Sequence, residues 1–200
     1  MGDHIDRVSA HRFGTHRSDA AARGFGLIEL VITITVAAIL TAIALPSFTA
    51  TMRSNRVASQ ANDLVTALNF ARNEAVTRTQ GISVCAADTH AGLPTTCGAA
   101  TDWDRGWVAF IDNTVGAGAP TAIDPALVLR SWVAGNQVDV TVGTQFVRFN
   151  TRGESVARGD SADGSATFTL APSGGCTGQQ QRSVTIVGLG SVHSKREDCP

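Results

Sequence analysis

Four cysteines and one carboxylate in an apolar run are the residues of this 200-residue chain whose types and spacing could do chemistry. Cys85, Cys97, Cys176 and Cys199 all follow the longest apolar segment. An even count in an exported region reads first as two disulfides. Four cysteines allow three pairings; Cys85–Cys97 with Cys176–Cys199 is favoured because each closes a short local loop. Loops of that size stabilise by roughly 3 kcal/mol each on the chain-entropy model. Zinc is the rival, but there is no C-x-x-C pair, and spacings of 11, 78 and 22 intervening residues fit no common zinc pattern. Of five histidines, His4, His11 and His16 precede the apolar segment, leaving only His90 and His193. No nucleophile elbow, phosphate loop or H-E-x-x-H is present. Asp160, Asp163 and Gly164 echo a calcium loop with too few acids and read as a solvated turn. The expectation is a protein that is not an enzyme and carries no metal and no cofactor.

The carboxylate is Glu29. Residues 30–45 run 16 residues without a charge, and extending back to Phe25 gives 21 residues whose one charge is Glu29. A helix of that length spans about 30 Å, the thickness of a bilayer core. Arg7, Arg12, Arg17 and Arg23 precede the span and favour a cytoplasmic N-terminus, although Arg53 and Arg56 follow it. An ordinary secretory signal would end in a small-residue cleavage site, for which Ala50 could serve. Glu29 argues against it: a carboxylate in lipid costs a few kcal/mol unless it finds a partner, and a disposable signal has no use for one.

Here the sequence resembles a known family. Arg23-Gly24-Phe25-Gly26-Leu27-Ile28-Glu29-Leu30 looks like the class III signal of type IV prepilins. The resemblance implies cleavage between Gly24 and Phe25 by a prepilin peptidase, which would also N-methylate Phe25. It makes Glu29 the fifth mature residue and puts Pro46 where pilins often carry a helix-kinking proline. It also gives Glu29 a partner, the N-terminal amine of a neighbouring subunit, so that two charges neutralise each other on assembly.

Past the span, Val57, Ala61, Leu64, Val65, Leu68, Ala71 and Val76 recur at steps of three or four. That predicts an amphipathic continuation of the helix to about Thr79, with Gly81 as its stop. Short apolar runs between turn residues then predict strands at 82–86, 107–111, 127–133, 138–142, 145–150, 166–170 and 184–187. Gly143-Thr144 separates two alternating runs and predicts a hairpin. Val138, Val140 and Val142 alternate with polar residues, so one sheet face should be wet. The expected fold is α+β: a long N-terminal helix, half transmembrane and half amphipathic, packed on an antiparallel β-sheet domain, the pilin fold. The domains expected are a leader at 1–24, a transmembrane helix at 25–46, its amphipathic continuation at 47–80 and a β-rich periplasmic domain at 81–200.

Further segments narrow the resemblance to the GspH/FimT group of minor pilins and minor pseudopilins. Residues 103–113 look like its W-x-x-G-W-x-x-F-x-D segment, Phe149-Asn150-Thr151-Arg152-Gly153 like its F-N-x-x-G turn, and Asn69–Ala75 like its helix end. Trp103 and Trp107 are expected to fill the core. Assembly into the tip or priming complex of a type IV pilus or type II secretion pseudopilus is implied. The implied partners are the prepilin peptidase/N-methyltransferase, other minor and major pilins or pseudopilins, an inner-membrane assembly platform and the membrane lipid. Some members bind DNA through a C-terminal G-R-x-R; the matching stretch here, Gly190-Ser191-Val192-His193, lacks both arginines. Lys195 and Arg196 are the remaining candidate DNA contacts, beside Glu197 and Asp198. Without the first 24 residues, 12 basic and 14 acidic side chains remain, which is not the balance of a nucleic-acid coat. DNA uptake is the alternative, disfavoured reading.

Overall fold

The computed structural model describes residues 26–90, 92–114, 118–120, 122–156 and 164–200. The chain divides into two units, Met1–Ile43 and Ala44–Pro200. Helix α1 is assigned over Leu27–Arg78 and so runs through Pro46 and through the division.

In the first unit the helix opens with the Leu30 N–H donating to the Gly26 carbonyl at 3.1 Å. Leu27, Ile28, Val31, Ile34, Leu40 and Ile43 are all at least about half exposed. That apolar surface matches lipid, and by length and composition the segment can cross a membrane.

In the second unit α1 packs one stripe into the core. Val57, Ala61, Leu64, Ala67, Leu68, Ala71 and Ala75 are fully buried. Burying each of the two leucines contributes about 1.5–3 kcal/mol. The stripe departs from expectation at its end, where Ala75 is buried and Val76 is 48% exposed. The helix also stops before Gly81. Thr79 takes the left-handed conformation, with φ 52°, and the Gln80 N–H closes back on Ala75 O at 3.3 Å. Gly81 serves a different purpose: a Cβ there would lie 3.2 Å from the Asp112 carbonyl oxygen.

Eight strands follow: β1 Ile82–Ala86, β2 Gly106–Ile111, β3 Val128–Val133, β4 Val138–Thr141, β5 Phe146–Phe149, β6 Ala166–Pro172, β7 Gln181–Ile186 and β8 Val192–Glu197. They form two antiparallel sheets, ordered β3-β2-β1-β5 and β4-β6-β7-β8. The main core joins the helix stripe to both sheets through Val84, Trp107, Val147, Phe149, Phe168, Leu170 and Val184. Trp103 and Trp107 are fully buried, as expected, and Trp103 meets Phe168 edge-on at 4.8 Å. A smaller cluster of Cys85, Val108, Phe110, Ile123 and Phe146 covers the other face of the first sheet.

The hairpin expected at Gly143-Thr144 does not form. β4 pairs with β6 and β5 pairs with β1, so residues 142–145 carry the chain from one sheet to the other. A two-residue hairpin would set exposed Thr141 opposite Phe146 and exposed Asp139 opposite Arg148. All four β5 residues are buried, which a wet partner strand cannot satisfy. The crossing is pinned by the Trp103 Nε1–H, which donates to Thr144 O at 2.9 Å. β4 itself alternates buried Val138 and Val140 with exposed Asp139 and Thr141, the one wet face expected.

Candidate functional site

The anchor segment is chemically simple. Within residues 26–43 the one charged side chain is Glu29, in the first turn of α1 and exposed. The three threonines satisfy their own hydroxyls within the helix: Thr33 donates to Leu30 O at 2.8 Å, Thr35 to Val31 O at 2.7 Å and Thr41 to Ala37 O at 2.6 Å. Such back-bonding lets a hydroxyl enter lipid without an outside partner. Glu29 makes no hydrogen bond or ion pair among the described residues. Gly24 and Phe25 lie outside the described residues, as do Asp160 and Asp163. Pro46 lies inside α1.

In the globular unit, three segments distant in sequence meet at one corner. The Arg72 Nε–H donates to Gly153 O at 3.1 Å and its Nη2–H to Leu189 O at 3.2 Å. Gly153 (φ 77°) and Gly190 (φ 78°) are both left-handed, and a Cβ on Gly190 would strike the Gly153 carbonyl. The turn before Gly153 is built by Asn150, whose Oδ1 accepts from Arg152 N at 2.9 Å and Glu154 N at 3.0 Å. Arg152, and then Asn150, hold the Glu154 carboxyl below its ordinary value. The arginine of the helix end thus staples the glycine turn to the loop before β8.

A buried ion pair locks the first sheet. Arg148 on β5 donates to Asp112 Oδ2 through Nε at 2.8 Å and Nη2 at 2.5 Å, and its Nη2 also reaches Gly118 O at 3.1 Å. Ser83 on β1 donates to the same carboxylate oxygen at 2.5 Å. Burial pushes the Asp112 carboxyl up, but the bonds from Ser83, Thr114 and Arg148 outweigh it and hold the group below its ordinary value. Sequence reading missed this pair and the Arg72 staple. The available signal was Arg148 inside the apolar run F-V-R-F, a cation that cannot be buried without an acid.

Cys85 is bonded to Cys97 and Cys176 to Cys199, the favoured pairing. The first clips the 87–105 loop over the outer face of the first sheet, where Gly98 N also donates to Ala86 O at 2.7 Å. The second ties the loop before β7 to the chain end, where Cys199 N donates to Gly178 O at 2.8 Å. Among the described residues no group of three or more His, Cys, Asp or Glu side chains could hold a metal ion.

Lys195 and Arg196 both lie on β8, a strand that sequence reading missed. Its register sets Lys195 opposite Ser183 and Arg196 opposite Arg182. Successive strand residues face opposite sides, so the structure does not gather Lys195 and Arg196 on one surface. Glu197, on the side of Lys195, accepts from Ser183 Oγ at 2.8 Å.

Comparison with known proteins supplies the relatives. The model of the family described as type II transport protein GspH matches residues 60–190. The prokaryotic N-terminal methylation motif matches residues 19–45. The fold resembles a crystal structure of the type IV minor pilin FimU of Pseudomonas aeruginosa (strain PAO1). The TM-score is 0.52 at 21% identity, covering 73% of this chain and 96% of that one. A second crystal form of FimU gives a TM-score of 0.49 at 21% identity, covering 71% and 98%. The comparison with curated proteins found no match.

Proposed function

Because the chain belongs to the GspH family of type II transport proteins and carries the N-terminal methylation motif, we propose that it is a membrane-anchored minor pilin or pseudopilin. It is made as a precursor, cut between Gly24 and Phe25 by prepilin peptidase and N-methylated at Phe25. It then joins the tip or priming complex of a type IV pilus or a type II secretion pseudopilus. Before assembly it sits in the bacterial inner membrane, with its N-terminus cytoplasmic and the globular unit periplasmic. Its partners there are other pilins or pseudopilins, the assembly platform and the surrounding lipid.

The observation that carries this reading is the isolation of Glu29. In a segment whose hydroxyls are all self-satisfied, it is the one described group that still requires a partner. The new N-terminal amine of Phe25 on a neighbouring subunit supplies one, so the carboxylate favours lateral association over solitary residence in lipid. Pro46 then marks the exit from the membrane. DNA uptake is not proposed, since Lys195 and Arg196 diverge across β8 beside Glu197 and Asp198.

Two variants of the full chain test the proposal in cells that make the filament. Gly24→Leu is expected to leave the precursor uncut, read as a slower band on a denaturing gel. Glu29→Val is expected to be inserted and cut normally yet to drop at least tenfold in the sheared filament fraction. Normal maturation in cells without the prepilin peptidase, or undiminished incorporation of Glu29→Val, overturns the reading.

A further inference from the structure

The globular unit carries a polar cleft of about 500 Å³ between α1 and the β3–β4 loop. Arg56, Ser59, Gln60 and Asp63 line it from the helix, and Asn136 and Gln137 from the loop. None of the roles above uses it.

Its construction is specific. Gln60 is only 4% exposed, and its Oε1 accepts the Gly135 N–H at 2.6 Å. Its Nε2 is buried without a hydrogen-bond partner. An unmet buried donor carries a desolvation cost that an incoming acceptor would remove. Gly135 leaves room for that bond, since a Cβ would stand 2.9 Å from Gln60 Oε1. Gln137 is held in the left-handed region at φ 70°, a strained conformation for a residue with a side chain. Two bonds keep it there: Arg56 Nη1 donates to its Oε1, and its carbonyl accepts from Ser173 N at 3.1 Å. Arg56 and Gln60 are therefore held in place before anything binds.

The lining also describes the occupant. Arg56, the Gln60 amide and the Asn136 amide offer donors that suit a carboxylate and peptide carbonyls. Asp63, two helical turns along from Arg56, can accept a main-chain N–H at the other end. Among the lining residues only Val133 and Val138 have large apolar side chains, and there is no aromatic ring. Small-molecule sites are mostly apolar, so the chemistry favours an extended peptide.

We propose that this cleft is a socket for a loop of an adjoining filament subunit, whose Asp or Glu side chain seats on Arg56 and the Gln60 amide. The inference rests on the assembly reading above and adds to it a contact made by the globular unit. It gives the open donor of Gln60 a partner.

The test uses the full chain in filament-producing cells, with photoreactive benzoylphenylalanine in place of Asn136 and cross-linked peptides mapped by mass spectrometry. A cross-link is expected to a pilin-type subunit, within a few residues of an Asp or Glu. Adding Ser59→Glu should cut that cross-link at least tenfold, because it offers Arg56 a carboxylate from three residues along its own helix. Ser59→Gln should leave it unchanged. The melting temperatures of both variants in detergent should stay at the parent value, which excludes misfolding as the cause. An absent cross-link, one confined to lipid, nucleic acid or a non-pilin protein, or one indifferent to Ser59→Glu overturns the socket. Glu29→Val in the same cells separates the two ideas. If it lowers incorporation while Ser59→Glu changes nothing, the socket fails and the assembly reading stands; if it changes nothing, the assembly reading fails too.

Discussion

Replacing Asp112 by Ala should unfold the globular unit at a much lower temperature. The Asp112 and Arg148 side chains are 2% and 7% exposed, and one carboxylate oxygen accepts from Arg148 twice and from Ser83 once. Without the acid, a guanidinium is left buried with its charge uncompensated. Breaking such a pair from one side costs about 3–5 kcal/mol. For a unit spanning Ala44–Pro200, each kcal/mol moves the melting temperature by roughly 2–4 °C. The expected fall is therefore roughly 6–20 °C, followed by near-ultraviolet circular dichroism of the full chain in detergent. Removing the network together, as Ser83→Ala/Asp112→Leu/Arg148→Met, should recover most of the loss, because no buried polar group is then left alone. Acid sharpens the test. The folded carboxyl titrates below its unfolded value, so its stabilisation is complete above about pH 4 and is lost as pH falls through the folded value. The parent should lose stability across that acid range, and Asp112→Ala should lack this component. A loss under about 1 kcal/mol for Asp112→Ala, or a triple variant no better than the single one, would refute the argument.

Two further outcomes follow from the same geometry. Gly190→Ala should cost about 2–5 kcal/mol, combining left-handed strain with collision against the Gly153 carbonyl, whereas Gly175→Ala, equally left-handed but in open space, should cost about 1 kcal/mol; paired urea melts compare them, and equal costs would deny the close contact. Cys176→Ser/Cys199→Ser should lose roughly 3 kcal/mol on the chain-entropy model for a 23-residue separation, seen as a lower urea midpoint without reductant; a midpoint matching the oxidised parent would contradict it.

Much of this fold was legible because its signals are local. The apolar run, the stripe at 57–71 and seven strands each announce themselves by periodicity, and the cysteine pairs by short separation. What was not legible depends on partners remote in sequence. β8 has a single apolar residue, Val192, so only the register of β7 reveals it as a strand. The strands on either side of Gly143-Thr144 each read correctly, yet their pairing turns on β5 needing burial on both faces, Phe146 and Arg148 on one and Val147 and Phe149 on the other. The same limit explains the family segments. Asn69–Ala75, F-N-x-x-G and the stretch at 190–193 look like separate short motifs, but Arg72 bonds the carbonyls of Gly153 and Leu189, and Gly190 packs on Gly153. The Asp that ends W-x-x-G-W-x-x-F-x-D is likewise half of an ion pair whose other half lies 36 residues on. Each of these motifs supplies one part of a contact, so what they report is the fold. The proposed function rests elsewhere, on the one charge that the anchor segment cannot satisfy by itself.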